Sequence, residues 1–370
     1  MRDKAAIRGE AEALAAVFAT AGAVPVEAPL MLSADTLLDL YGEDIRARAY
    51  TTDDPDRGEM MLRPDFTVPV VQSHMENGAE PARYTYLGEV FRKQPAGSGR
   101  PTEYLQLGYE LFDGTDPARA DAEVFALFAK ALNGLGLRAV SGDIGILLAA
   151  IETLSTTEPR KAALRRHVWR PRRFRALLDR YTGRADPPAG RAALLDAVRK
   201  QGVEAVIAEA GPAVGLRGSP EIAERVERLL ADADTPPIGA AEAEVLTEIL
   251  SLRAPLPQAC DRLWDMTVDL PGLTAAVERL SARIDALAAA GQEPNDLPYE
   301  ASFGRTTMEY YDGFVFGFLA DGRPDLPPVA TGGRYDALTA ILGEGRAIPA
   351  VGGVIRPELV YRLKTGEGAA

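Results

Sequence analysis

The chain has 370 residues, 46% of them hydrophobic and 26% charged, with one cysteine, two histidines and a formal charge of −13 at neutral pH. That length exceeds one comfortable core and predicts roughly two domains, while no apolar run approaches the ~20 residues of a membrane span. Cys260 alone excludes an internal disulfide framework, His74 and His167 leave little scope for a His-rich zinc site, and the acidic balance excludes a broad basic surface for nucleic acid.

In chain order, the spacing predicts a first helix over 4–21, with Ile7, Leu14, Val17 and Phe18 on one face and Gly22 just past its end. Its amphipathic, acid-containing start argues against a signal peptide, so a reducing, cytoplasmic setting is expected. A short strand over 24–29 follows. Residues 83–112 read as two strands joined by a Gly/Pro-rich loop. In the second, over 104–112, Leu105, Leu107, Tyr109 and Leu111 point one way while Gln106, Gly108 and Glu110 point the other. A face carrying an amide, a glycine and a carboxylate suits a small polar ligand. The same alternation also describes an ordinary half-solvated antiparallel strand.

Asp116-Pro117 predicts a helix start, an N-cap followed by proline at the first helical position. Val124, Leu127, Phe128 and Leu132 then recur at helical spacing for one buried face. A strand over 138–143 and an apolar helix to about Leu154 come next. From 157 to 292 the pattern changes to helices with Pro-rich breaks, read as a helical insertion. Within it, residues 160–184 hold ten Lys or Arg against Asp179 alone. This basic island reads either as a surface for an anion or acidic partner or as a solvated helix face. Residues 299–360 return to strands, with 309–318 the clearest. The predicted fold is α+β: an antiparallel sheet flanked by helices, its core split between 1–156 and 293–370 around the insertion at 157–292.

Four segments occur in an order that carries a family resemblance. They are Leu62-Arg-Pro-Asp-Phe-Thr67; Phe91-Arg92 through the loop to Gln106-Leu-Gly-Tyr-Glu110; Glu309-Tyr-Tyr-Asp-Gly-Phe-Val-Phe316; and Gly332-Gly-Arg-Tyr-Asp336 with Pro349-Ala-Val-Gly352. Together they resemble the histidyl branch of the class II aminoacyl-tRNA synthetases. The resemblance implies a histidine site built from Asp65, Thr67, Arg92, Gln106, Glu110, Tyr310, Tyr311 and Tyr335. Asp65 stands where those enzymes hold the α-amino group with a glutamate, and Tyr311 and Tyr335 match the tyrosines lining the imidazole pocket. Carboxylates for an ammonium, a polar acceptor for a ring N–H and aromatic walls are also what such a ligand needs chemically. Pro29 falls where the family places a dimer-interface proline, which implies a self-dimer.

The departures from the pattern point away from adenylation, which needs cationic groups to neutralise charge developing at phosphate. The ATP-binding arginine of the family becomes Leu359, with Pro357 expected to disturb the helix that should follow and Arg356 close by. The arginine of the histidine-specific motif becomes Thr306, with Arg305 expected on the opposite strand face. In the second motif, Gln94 and Thr102 replace charged residues. The chain also stops at Ala370, soon after Glu358, so no anticodon-binding domain is expected. These departures resemble the regulatory subunits of short-form ATP phosphoribosyltransferase. That resemblance implies no catalytic residue, cofactor, metal or tRNA role. It implies a hetero-octamer of four regulatory and four short catalytic chains, with L-histidine as the feedback ligand in the first step of histidine biosynthesis. The alternative reading is a truncated synthetase-like enzyme that activates an amino acid.

Overall fold

The computed structural model describes residues 3–41, 43–211, 215, 217–305 and 310–366. Thr306 and Glu309, and the tail from residue 367, lie outside the described residues. The strands are β1 (Val24–Pro25), β2 (Met31–Ser33), β3 (Thr51–Asp54), β4 (Gly58–Leu62), β5 (Ala82–Phe91), β6 (Glu103–Phe112), β7 (Leu137–Asp143), β8 (Arg253–Pro255), β9 (Pro298–Glu300), β10 (Phe314–Ala320), β11 (Ala330–Arg334) and β12 (Ala350–Ile355). Among the described residues they form a nine-stranded sheet, ordered β1-β5-β6-β12-β11-β10-β7-β9-β8, and a three-stranded sheet, β2-β4-β3.

The large sheet is antiparallel through its centre, but β1 runs parallel to β5 and β9 parallel to β7. It is therefore a mixed sheet rather than a purely antiparallel one. Each parallel partner is reached by a long crossover, which is what parallel pairing requires. The expected strand over 24–29 shrinks to Val24–Pro25. The strand expected over 309–318 begins only at Phe314, so Tyr310 and Tyr311 precede it.

One face of the sheet is covered by two helices whose starts are readable in sequence. Lys4–Thr20 is capped by Asp3, whose Oδ1 accepts from the Ala6 N–H at 3.0 Å, and buries Ile7, Ala11, Leu14 and Phe18. Ala11 takes the place expected for Val17, because positions 7, 11, 14 and 18 follow one helical stripe more closely. Phe18 packs on Tyr109 of β6 at 5.4 Å between ring centroids and on Phe128 at 5.3 Å. Pro117–Ala131 has Pro117 in its first turn and Asp116 as N-cap, accepting from Arg119 N–H at 3.0 Å. Its Phe125 and Phe128 meet Phe316 of β10. Tyr109 and its odd-numbered neighbours thus face the core, and the Gln106–Gly108–Glu110 face is left for the site.

The chain divides into two compact units at other boundaries than the sequence suggests. One comprises 1–146, 250–265 and 274–370; the other comprises 147–249 and 266–273. Two stretches expected in the insertion belong with the sheet. β8 pairs with β9, so Arg253–Pro255 is part of the sheet edge. In helix Thr274–Ala289, Arg283 donates to Asp121 and to Asp143, both at 2.7 Å.

The second unit is helical, with Leu164, Phe174, Leu178 and Tyr181 among its buried side chains. The basic island is split by it. Arg160 is buried and donates to Asp232 Oδ1 at 2.6 Å and to the carbonyls of Asp232 and Pro236, both at 2.7 Å, so it braces the fold. Arg165 pairs with Glu152. Arg166, Arg172, Arg173, Arg175 and Arg184 remain exposed.

Candidate functional site

The site lies in the sheet-containing unit, on the face of β6 opposite the helices. In the ladders, Glu110 stands opposite Tyr84 of β5 and Gly352 of β12, Gly108 opposite Tyr86 and Val354, and Gln106 opposite Gly88. Opposed residues share a face, so these side chains project from the same side of the sheet. Two glycines make room for the Tyr86 ring and the Glu110 carboxylate on that face. A Cβ on Gly108 would lie 2.0 Å from Tyr86 Cζ, and one on Gly352 would lie 1.6 Å from Glu110 Oε2.

Glu110 is fully buried and accepts three hydrogen bonds: from Thr67 Oγ1 and Tyr86 OH, each at 2.9 Å, and from Tyr335 OH at 2.6 Å. Burial pushes its carboxyl up to about 7 in spite of these donors, with Asp65 adding to the rise. Near neutrality the group is poised between carboxylate and acid, ready to take an N–H from a ligand. Thr67 opens helix Thr67–Asn77, which brings its hydroxyl to the carboxylate. Asp65, also buried, sits just before that helix and accepts from Val68 N–H at 3.4 Å.

Aromatic rings wall the cluster. Tyr310 meets Tyr311 at 5.0 Å and Tyr335 at 6.0 Å between centroids. Burial, and then the Glu110 charge, raises the Tyr311 hydroxyl pKa, so it stays a protonated donor. Tyr335 is held by its backbone N–H donating to Ala350 O at 3.0 Å, continuing the β11–β12 ladder.

Gln106 is buried on the same face, and its Oε1 has no hydrogen-bond partner among the described residues. Buried acceptors are nearly always paired, so this carbonyl lacks a donor that a ligand can supply. Arg92 stands farther along the hairpin, half-buried, with Nε donating to Pro64 O at 2.7 Å. The structure therefore gathers Asp65, Thr67, Glu110, Tyr310, Tyr311 and Tyr335 into one cluster. Gln106 lies four residues along β6, about 13 Å from Glu110 at the usual rise per residue, and Arg92 lies beyond it.

Sequence reading missed Tyr86 and Phe66. Tyr86 donates to Glu110, and Phe66 stacks on it at 4.4 Å with planes 9° apart. The signal was Gly108: a glycine between two polar strand residues leaves room for a ring from the neighbouring strand. The motif residues expected to be unfit for adenylation appear as follows. Leu359 is a buried apolar side chain on helix Pro357–Thr365. Pro357 does not disturb that helix. It occupies the first turn, where no intrahelical N–H bond is lost. Arg305 lies buried in a turn rather than on an extended strand.

The histidyl-tRNA synthetase family model matches residues 2–236 and 223–360. An ATP phosphoribosyltransferase regulatory subunit of Brucella ovis is 36% identical over 344 residues, covering 88% of this chain and 89% of the relative. The regulatory subunit of Brucella abortus gives the same figures, 36% over 344 residues. Among solved structures, an ATP phosphoribosyltransferase regulatory subunit/histidyl-tRNA synthetase from Bacillus halodurans superposes with a TM-score of 0.67 at 22% identity, covering 98% of this chain and 81% of that one. A histidyl-tRNA synthetase from Nostoc sp. PCC 7120 gives 0.62 at 16% identity, covering 98% and 73%. These two share the fold. With the synthetase family model matching nearly the whole chain and 36% identity to these relatives over 88% of it, the chain belongs to the ATP phosphoribosyltransferase regulatory subunits, the paralogues of histidyl-tRNA synthetase.

Proposed function

We propose that this chain is a non-catalytic, histidine-sensing subunit of ATP phosphoribosyltransferase, acting in the cytoplasm in the first step of histidine biosynthesis. It activates the short catalytic subunit in an assembly of four chains of each kind and relays feedback inhibition by L-histidine. The observation that carries the reading is the pairing of a buried, triply bonded Glu110 with an apolar Leu359. The first equips the site to hold a cationic or N–H-rich ligand. The second removes a group that adenylation needs.

In this reading the imidazole N–H donates to Glu110, and Tyr310, Tyr311 and Tyr335 enclose the ring. Asp65 takes the ammonium, Gln106 Oε1 accepts a further N–H, and Thr67 orients Glu110. Histidine shifts the assembly between active and inactive states by its differential affinity for the two. A self-dimer is supported by the exposed Val24, Leu30 and Met31 around Pro29, an apolar edge that a second copy would cover. No described helix is long and apolar enough to cross a membrane.

Calorimetric titration of the purified chain with L-histidine, alongside an ATP–pyrophosphate exchange assay, tests the reading. Selective histidine binding without exchange is expected. Histidine-dependent exchange would return the chain to the amino-acid-activating enzymes, and no histidine binding by the chain or its complex would contradict the sensor.

A further inference from the structure

The residues assigned so far meet the nitrogen atoms of an amino acid, while its carboxylate calls for cations. Arg356 follows β12 directly. The β12–β6 register pairs Ile355 with Leu107, so one further step sets Arg356 opposite Gln106. Gly352, Val354 and Arg356 alternate onto the face that carries Glu110 and Gln106. Arg92 shares that face, because its N–H donates to Thr102 O at 2.8 Å and extends the β5–β6 ladder by one residue.

The local sequence holds Arg356 there. A residue before proline is driven to extended backbone, and Arg356 has φ −102° and ψ 95° ahead of Pro357. Its N–H donates to Val329 O at 2.9 Å and its Nη1 to Pro328 O at 2.6 Å. Nε and Nη2 have no acceptor, and no carboxylate pairs with the guanidinium, among the described residues. Desolvation, with Arg92 and Arg100 close by, holds its pKa below the ordinary arginine value. A half-buried cation among like charges is costly unless an oxyanion joins it. The Tyr311 hydroxyl is within reach of the charges of both Glu110 and Arg356.

We propose that Arg356 binds the ligand's carboxylate, so that the site is bipolar and requires an intact α-carboxylate for recognition. This rests on the reading of the site as an amino-acid site. The acidic pole selects the nitrogen-bearing end and the arginine pole selects the carboxylate. The Arg356-Pro357 pair thereby turns the position where the synthetase motif would begin its helix into an anchor for the amino acid.

The test titrates the wild-type chain, Arg356→Gln and Arg356→Lys with L-histidine, histamine and ATP. The wild type is expected to bind histidine about ten- to a hundredfold more tightly than histamine, the range of a charge-assisted contact. Arg356→Gln should lose about that factor for histidine and little for histamine, and Arg356→Lys should recover part of it. Equal histidine and histamine affinities in the wild type, an unchanged histidine affinity in Arg356→Gln, or equal losses for both ligands would each overturn the proposal while leaving the sensor reading intact. An Arg356-dependent affinity for ATP but not for histidine would make this a phosphate site and also overturn it. Failure of histidine to bind both the wild-type chain and its complex with the catalytic subunit would instead overturn the underlying reading.

Discussion

Glu110 concentrates the chemistry of the site in one side chain. Removing it or the neighbouring ring separates two roles. Glu110→Ala and Tyr311→Ala should weaken inhibition by histidine at least tenfold, the loss of a charged hydrogen bond or a packed ring, while activation of the catalytic subunit persists. Histidine inhibition curves on the reconstituted complex measure both effects, and equal loss of activation and inhibition in a folded variant would refute the division. Glu110 also predicts a pH signature. Its pKa of about 7 in the folded chain exceeds the usual carboxylate value, so folding favours its protonated form. The associated stability is fully present below about pH 4 and is lost as pH rises through about 7. Glu110→Gln should abolish that dependence. Denaturant unfolding between about pH 4.5 and 8 should show the wild type losing about 3 kcal/mol relative to the variant. Asp312, also pushed up to about 7, titrates in both proteins and cancels in the difference. Parallel stability profiles would contradict the assignment.

At the scale of elements, Asp116 starts the helix whose Val124, Leu127 and Phe128 cover the back of the sheet. Asp116→Ala should cost about 1 kcal/mol in denaturant unfolding, the usual worth of an N-cap, and Asp116→Asn should restore most of it. This cap, the stripe it begins and the two-faced β6 strand were legible because they are local patterns of period 3.6 or 2. What was illegible lay in partners distant along the chain. The polar face of β6 reads in sequence either as a ligand face or as an ordinary half-solvated one, yet Gln106 and Glu110 are both buried, with Thr67, Tyr86 and Tyr335 closing over Glu110 from other elements. Tyr311 was assigned to a strand by its hydrophobic neighbours, although the strand begins only at Phe314.

At the scale of the whole molecule, one buried ion network joins four segments of the sheet-containing unit. Asp121 accepts from Arg283 at 2.7 Å and from Arg334 at 2.7 Å, and Arg283 also reaches Asp143. Arg334 in turn donates to Asp336, beside Tyr335 of the site. The network draws helix Thr274–Ala289 to the sheet, and its long-range pairs leave no local trace, which is why sequence placed that helix in the insertion. Breaking a buried pair strands the remaining charge, so Asp121→Ala should cost about 3–5 kcal/mol, measured by chemical unfolding. A loss below about 1 kcal/mol would show that the guanidinium groups find other partners.

The central claim is that the chain regulates without catalysing. The most direct measurement is the rate of phosphoribosyl-ATP formation by the short catalytic subunit, titrated with this chain in the presence and absence of L-histidine. The account predicts a rate that rises with added chain until the two are equimolar and falls when histidine is supplied, with no pyrophosphate exchange by the chain alone. A catalytic subunit indifferent to the chain, or an activated complex indifferent to histidine, would contradict it.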